Sequence, residues 1–414
     1  MYDPFSEFES TTLSNGLTVH ALHRPEIPFA QIVILVHCGA NDDPKGKSGI
    51  AHFLEHMICA NSGKTLSQLR KYFANEGGSF LANTNHYRTC YGFMAPINSP
   101  KFDEFLAYWA NATVVNPLVD YFESEQKIIR SEIARLFSSA QVMENRQTAH
   151  QLMFRGELQG QAFSSLGTKD SFEMIQLKDL HEQRRKMYVP QNMQVVCVGG
   201  LSLQDVVQKV NCSALSTVVK GRVNPILQKT TTVAPLIQSR YTGECHDAQK
   251  MGVTSLQKTF MLPGTASVQS ADLAARVVSE RLILSLREAQ GLLYSANAEA
   301  LKCIGYTLFH LSTPNFDAEH LGIVEQTISN VVANFCLDAA AFEEAKHQEL
   351  VRYQTIDMNL ASILKNAIAD LVHHRRIISL ADEHAASKSV KHSDMSKLSR
   401  YLTEDNMFTY VEHK

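Results

Sequence analysis

The second half of this chain repeats the first, and that repetition limits the folds open to it. Tyr91-Gly92-Phe93-Met94-Ala95-Pro96 leads into Phe102-Asp103, and Thr307-Leu308-Phe309-His310-Leu311-Ser312 leads into Phe316-Asp317. Each half also closes on an apolar strand-like run, Met193 to Val198 in the first and Met407-Phe408-Thr409-Tyr410-Val411 in the second. A duplicated unit of strands followed by helices predicts two similar α+β domains. With 414 residues there is chain enough for both.

Local signals fill in each copy. Asn15-Gly16 separates Thr11-Thr12-Leu13 from Leu17-Thr18-Val19-His20-Ala21, a hairpin pattern. Ala30 to His37 and Tyr87 to Met94 read as strands; Ser48 to Ala60, Pro100 to Asn111 and Tyr121 to Phe137 read as helices. In the second copy Val253 to Met261 and Gly305 to Ser312 are predicted strands. Ser270 to Gln290 is a predicted long helix, and helix resumes from Asp317. Residues 213–245 hold Thr230-Thr231-Thr232, two prolines and no strong periodicity, and are predicted to connect a domain 1–212 to a domain 246–414.

Composition narrows the function classes. Lys plus Arg total 39 and Asp plus Glu 42, for a formal charge of −3, and no long basic stripe points to nucleic acid. No run approaches the ~20 apolar residues of a membrane span. The opening MYDPFSEFES lacks the charged and apolar blocks of a signal peptide, so a cytoplasmic location is expected. The cysteines Cys38, Cys59, Cys90, Cys197, Cys212, Cys245, Cys303 and Cys336 are scattered without a CxxC pair, the pattern of free thiols.

His52-Phe53-Leu54-Glu55-His56 carries the chemistry. At 100° per residue Ile50, Phe53, Leu54, Met57 and Ile58 form a core stripe, and His52, Glu55, His56 and Cys59 form the opposite one. A solvated face favours Lys, Glu and Gln; two imidazoles four apart instead suit one zinc ion, with the carboxylate between them placed to take a proton from water. In the helix from Tyr121, Glu125 and Glu132 share the stripe of Ile128, Ile129, Ile133 and Leu136. An unpaired buried carboxylate costs several kcal/mol, which a cation would remove. One of these two glutamates is therefore expected to be a third ligand, leaving a fourth position open. His373-His374-Arg375-Arg376 reads as helix surface.

His52-x-x-Glu55-His56 followed by Glu132 resembles the insulinase and pitrilysin family of zinc peptidases, whose signature is HxxEH and then a glutamate after about that interval (132 − 56 = 76). Gly49-Ile50-Ala51 ahead of the motif, Gly77-Gly78 after it and Thr89-x-Tyr91 beyond are similar too. The resemblance implies one Zn2+ per chain held by His52, His56 and Glu132, with Glu125 in support and Glu55 as general base. It also implies two similar domains, each a mostly antiparallel sheet packed against helices, forming half of a clamshell. Arg287 and Tyr294, seven apart (294 − 287), resemble the family's arginine–tyrosine segment, which binds substrate backbone and oxyanion.

By the same resemblance an extended peptide substrate joins the sheet edge near Leu81, Ala82 and Asn83. Leu81-Ala82 stands where the family usually carries Asn-Ala, with Asn83 two residues after Leu81 on the same strand face; Tyr87 replaces a common acidic residue and Cys59 a bulky apolar one. In length the chain is similar to the short members, such as mitochondrial processing peptidase subunits. These work as dimers, so a homodimer is expected, with a heterodimer with a non-catalytic homologue as the alternative. A non-catalytic scaffold and a dedicated leader- or precursor-processing protease are the rival functions.

Overall fold

A computed structural model describes residues 2–61, 63–117, 119–136, 140–154, 162–224, 239–245, 252–353 and 359–414. The chain forms two compact units, each an α+β layer of one sheet packed against helices. The first unit contains β1 (Glu9–Thr12), β2 (Thr18–His23), β3 (Phe29–Val36), β4 (Ser79–Thr84), β5 (Thr89–Pro96) and β6 (Met193–Gly199). Its sheet order is β1-β2-β6-β3-β5-β4, so β4 is an edge. The second contains β7 (Ser239–Glu244), β8 (Val253–Pro263), β9 (Asn297–Lys302), β10 (Tyr306–Ser312), β11 (Phe316–Asp317) and β12 (Met407–His413), in the order β7-β12-β8-β10-β9 with β11 also on β8.

The duplication holds strand for strand. β2 pairs parallel with β6, which pairs antiparallel with β3, then β5, then β4. β7 likewise pairs parallel with β12, followed by antiparallel β8, β10 and β9. The central strands read as apolar runs because both faces are covered; all seven residues of β6 are buried.

Helices follow the same plan. The first unit places α1 (Ile50–Ala60) and α2 (Leu66–Ala74) after β3, then α3 (Phe102–Val114) and α4 (Phe122–Leu136) after β5. The helices α5 (Ala140–Met153), α6 (Lys169–Glu173), α7 (Leu177–Met187) and α8 (Leu203–Asn211) come next. In the second half α9 (Val268–Leu282) follows β8; α10 (Leu321–Asn334), α11 (Ala339–Arg352) and α12 (Leu360–His374) follow β10 and β11.

The units are not consecutive stretches. Residues 137–159, with α5, belong to the second unit, and 357–380, with α12, to the first. Each half thus lends one helix to the other unit: α5, which follows α4, and α12, which follows α11. α12 buries Ile363, Leu364, Ala367, Ile368, Leu371 and Val372 at helical spacing and packs on β6 and β3. α5 packs on β7 and β12, where Asn145 Nδ2 donates to the Glu244 carbonyl (3.0 Å). The compact units therefore depart from the expected division into 1–212 and 246–414. The expected connector 213–245 carries strand β7 at its end, and its residues 225–238 lie outside the described residues.

Two smaller differences bear on function. The expected single helix to Gln290 leaves α geometry after Leu282 and continues as a wider π-type turn, Ile283–Glu288. All eight cysteines are free, and among the described residues no helix is long and apolar enough to cross a membrane.

Beneath the edge strand β4, Phe73 of α2 is fully buried among Phe80, Phe93, Phe105 and Trp109. This cluster sets how closely β4 and β5 approach the helices. Phe73→Ala should lower stability by about 3–5 kcal/mol through transfer and cavity costs, read as a shift in the denaturant midpoint at constant slope.

Candidate metal centre

The motif helix has a fixed start. Gly49 adopts φ +103°, and a Cβ there would come 2.6 Å from the Leu166 carbonyl, so glycine is required. Glycine supplies no cap, and Asp43 does so from the preceding loop. Its carboxylate accepts from the Gly49 N–H (2.6 Å) and the Ala51 N–H (2.9 Å), occupying donors that a helix start leaves unpaired. The core stripe then seats the helix: Ile50, Phe53, Leu54, Met57 and Ile58 are buried, and the Phe53 ring lies 5.0 Å from Phe122 of α4.

With α1 and α4 held together, the polar stripe meets Glu125 and Glu132. His52 Nε2 and His56 Nε2 stand 3.7 and 3.6 Å from Glu132 Oε2, and one donor atom from each of the three residues lies within 4.8 Å of the others. His56 Nδ1 donates to Glu125 Oε2 (3.0 Å), which points its Nε2 at the cluster. The geometry separates the two glutamates: Glu132 faces both imidazoles, whereas Glu125 holds one of them from behind. Neither glutamate lies under the apolar stripe; Ile129 and Ile133 are buried, Ile128 is exposed, and the Glu132 side chain is 31% exposed at the rim.

Glu55 is 8% exposed, and its Oε2 accepts a hydrogen bond from Thr84 Oγ1 (2.7 Å). Thr84 escaped the sequence reading. Its signal was the period of two along β4, which puts Phe80, Ala82 and Thr84 on the helix-facing side. Leu81 and Asn83 point the other way, where Arg88 donates to Asn83. The expected edge residues therefore divide between two faces. Cys59 is half-buried, burial pushes its thiol well up, and it is not one of the convergent donors. His373 packs its ring on Tyr87 (5.6 Å).

Arg287 and Tyr294 come together in the second unit. The π-type turn and Gly291, at φ +66°, reverse the chain so that the Arg287 guanidinium lies 4.8 Å over the Tyr294 ring. Both are exposed, Tyr294 by 77%.

The electrostatics favour a cation. Burial, joined by the nearby His56, lowers the His52 pKa to about 4, so that ring is neutral. Burial acts to lower His56 as well, but the carboxylates of Glu125, Glu132 and Glu55 outweigh it and raise the value to about 9. Burial raises Glu55, and the His56 interaction lowers Glu132. Among the described residues no lysine or arginine forms an ion pair with Glu55, Glu125 or Glu132. Two imidazole nitrogens and one carboxylate oxygen around one point are the donor set of a catalytic zinc site with an open position.

Two family models match consecutive parts of the chain: insulinase (peptidase family M16) over residues 18–163, and the peptidase M16 inactive domain over residues 174–349. An uncharacterized zinc protease of Mycobacterium leprae is 27% identical over 297 residues, covering 69% of this chain and 64% of that protein. A probable mitochondrial-processing peptidase subunit beta of Schizosaccharomyces pombe is 26% identical over 241 residues, covering 57% and 50%. The matches thus span less than two thirds of the length of these curated relatives. Among solved structures, a protease from Helicobacter pylori superposes with a TM-score of 0.80 at 19% identity, covering 100% of both chains. Pitrilysin superposes at 0.74 and 16% identity, covering 98% of this chain and 44% of its own.

A ligand imidazole must be neutral, so a metal has to displace the proton that His56 retains up to about pH 9, whereas His52 has none to give. Titrating Zn2+ into metal-free protein near pH 7.5, in buffers of different ionisation enthalpy, should show release of about one proton. Affinity should weaken by up to about tenfold per pH unit as pH falls below 9. Glu125→Gln removes a carboxylate that holds the proton and should reduce the release.

Proposed function

The chain belongs to the insulinase family of peptidases, family M16, and on that footing we propose that it is a zinc-dependent endopeptidase acting on peptides bound in extended form. The observation that carries this reading is the convergence of His52, His56 and Glu132 with Glu55 on the same helix. These three residues would hold the ion. When bound, zinc supplies Lewis acidity, polarising a carbonyl and making water a stronger nucleophile near neutral pH.

The remaining steps belong to the chain. Glu55 takes the proton of the attacking water and passes it to the leaving amine. Its pKa, raised by burial, suits both halves of that task. Glu125 keeps His56 in one tautomer through Nδ1. Among the described residues β4 is an edge strand, and its outer N–H and C=O groups would pair with an added peptide strand at Leu81, Ala82 and Asn83. Main-chain pairing tolerates many sequences, so side pockets would set specificity. Arg287 would bind substrate backbone and Tyr294 would donate to the developing oxyanion.

Both signatures occur in one chain, so a homodimer suffices, in which Arg287 and Tyr294 of one subunit serve the metal of the other. Similarity to a mitochondrial-processing peptidase subunit favours a second reading, a precursor-processing protease paired with a homologous subunit. A non-catalytic scaffold would have no use for the retained donor set and should purify without stoichiometric zinc.

Glu55→Gln should keep zinc and the fold while lowering cleavage of a mixed peptide library by roughly 10²–10⁴-fold; turnover at the parental rate would refute the assigned role. Mixing Arg287→Ala subunits with Glu55→Gln subunits should restore activity through one intact site per mixed dimer. Failure of such mixtures to regain activity, with mixed dimers shown to form, would rule out the cross-subunit site.

A further inference from the structure

We propose that Thr84 is the positioning residue for Glu55, so that the strand expected to align the substrate backbone also sets the place of the base. This inference rests on the peptidase reading. Thr84 is the last residue of edge strand β4 and pairs with Thr89 of β5. Its hydroxyl donates to Glu55 Oε2 at 2.7 Å, and among the described residues this is the hydrogen bond that the carboxylate accepts. Among the described residues no donor reaches the other oxygen of Glu55.

Thr84 is itself held in place. Thr89 is fully buried, its Oγ1 lies 3.2 Å from Thr84 Oγ1, and it donates its own proton to the Cys38 carbonyl (2.9 Å). With that proton committed, Thr89 presents only lone pairs to Thr84. The single Thr84 proton then has two acceptors in reach, a neutral oxygen at 3.2 Å and a carboxylate oxygen at 2.7 Å. The shorter, charge-assisted bond wins. The Thr84 hydroxyl is therefore directed at Glu55 by its neighbour and by charge together.

The geometry has a mechanical consequence. A peptide added to β4 takes its register from the backbone of residues 79–84, and the oxygen that fixes Glu55 stands on the same strand. Displacing β4 would move substrate and base together. A base tied only to its own helix would lose alignment whenever the edge strand shifted. Misplacing a reacting group by about 1 Å can slow a reaction roughly 10²-fold.

The test compares Thr84→Val, which keeps the shape and removes the hydroxyl, with Thr84→Ser, which keeps the hydroxyl; Thr84→Ala replaces the valine variant should that fail to fold. In the full chain Thr84→Val should lower kcat roughly 10- to 100-fold with KM and zinc content unchanged, and Thr84→Ser should restore most of it. Crystal structures of the metal-free variants should show the Glu55 carboxylate displaced in Thr84→Val and in place in Thr84→Ser. Parental kcat in Thr84→Val, loss of zinc in step with activity, or an undisplaced Glu55 would overturn the inference. If the parent chain shows no zinc-dependent cleavage, the peptidase reading fails instead, and the metal-free crystal structures still decide whether Thr84 places Glu55.

Discussion

Where α1 crosses α4, three carboxylates face one imidazolium in a partly desolvated cleft. Glu55, Glu125 and Glu132 supply the negative charge; among the described residues His56 is the cation that pairs with them directly, because burial keeps His52 neutral, while Arg88 and Arg135 act only from a distance. Such an excess is costly away from water and is tolerable only if the groups are paired or bind a cation. The surrounding structure serves to hold these groups together in spite of it. Asp43 and Gly49 fix the start of α1, Phe53 against Phe122 fixes its distance from α4, and β4 approaches from the side with Thr84. A site assembled against its own electrostatics is preorganised for a dication, whose binding removes the repulsion.

The second unit has the same topology and resolves its charge differently. After β8, the counterpart of β3, helix α9 carries Asp272 and Arg276 four residues apart, as α1 carries His52 and His56. On α11, the counterpart of α4, Glu349 is buried between Arg276 and Arg352, each 2.6 Å away. A cavity of about 780 Å³ opens there beside edge strand β9. Burial and then Glu349 raise Asp272 to about 6. Guanidinium groups built into the chain thus occupy the electrostatic role proposed for an external ion in the first unit. The fold accommodates either set of charges on the corresponding helices.

How much of this could be read beforehand follows from how local each feature is. The α1 stripe and the hairpin at Asn15-Gly16 depend on helical or strand period within short segments, and both were legible; helical period left Glu125 and Glu132 as alternatives, and only the family resemblance pointed to Glu132. Asn297-Ala-Glu-Ala-Leu-Lys302 has the composition of a helix and forms β9 because β10 offers it a ladder, so tertiary pairing overrides propensity. The exchange of α5 and α12 leaves no trace in periodicity, since an amphipathic helix shows that it has a buried face without showing what buries it. Thr84 was hidden for a related reason. The direction of a strand side chain follows from register, and the departure from the family pattern at Leu81, with Asn83, lies on the face opposite the one that meets Glu55.

The arginine–tyrosine pair poses a different physical problem. A phenol in water is a weak oxyanion donor, because bulk solvent competes for its hydrogen bond and screens its dipole. Tyr294 is 77% exposed, and its one described ring contact is with Arg287, itself at the surface. For the role proposed for it, the surface that carries Tyr294 has to be covered during reaction, by peptide, by a second subunit or by both. The π-type turn supports this reading, since such turns place side chains that a regular helix would direct elsewhere. A pair already stacked in this way would have less entropy to lose when a partner arrives, which suits the proposed site completed on assembly.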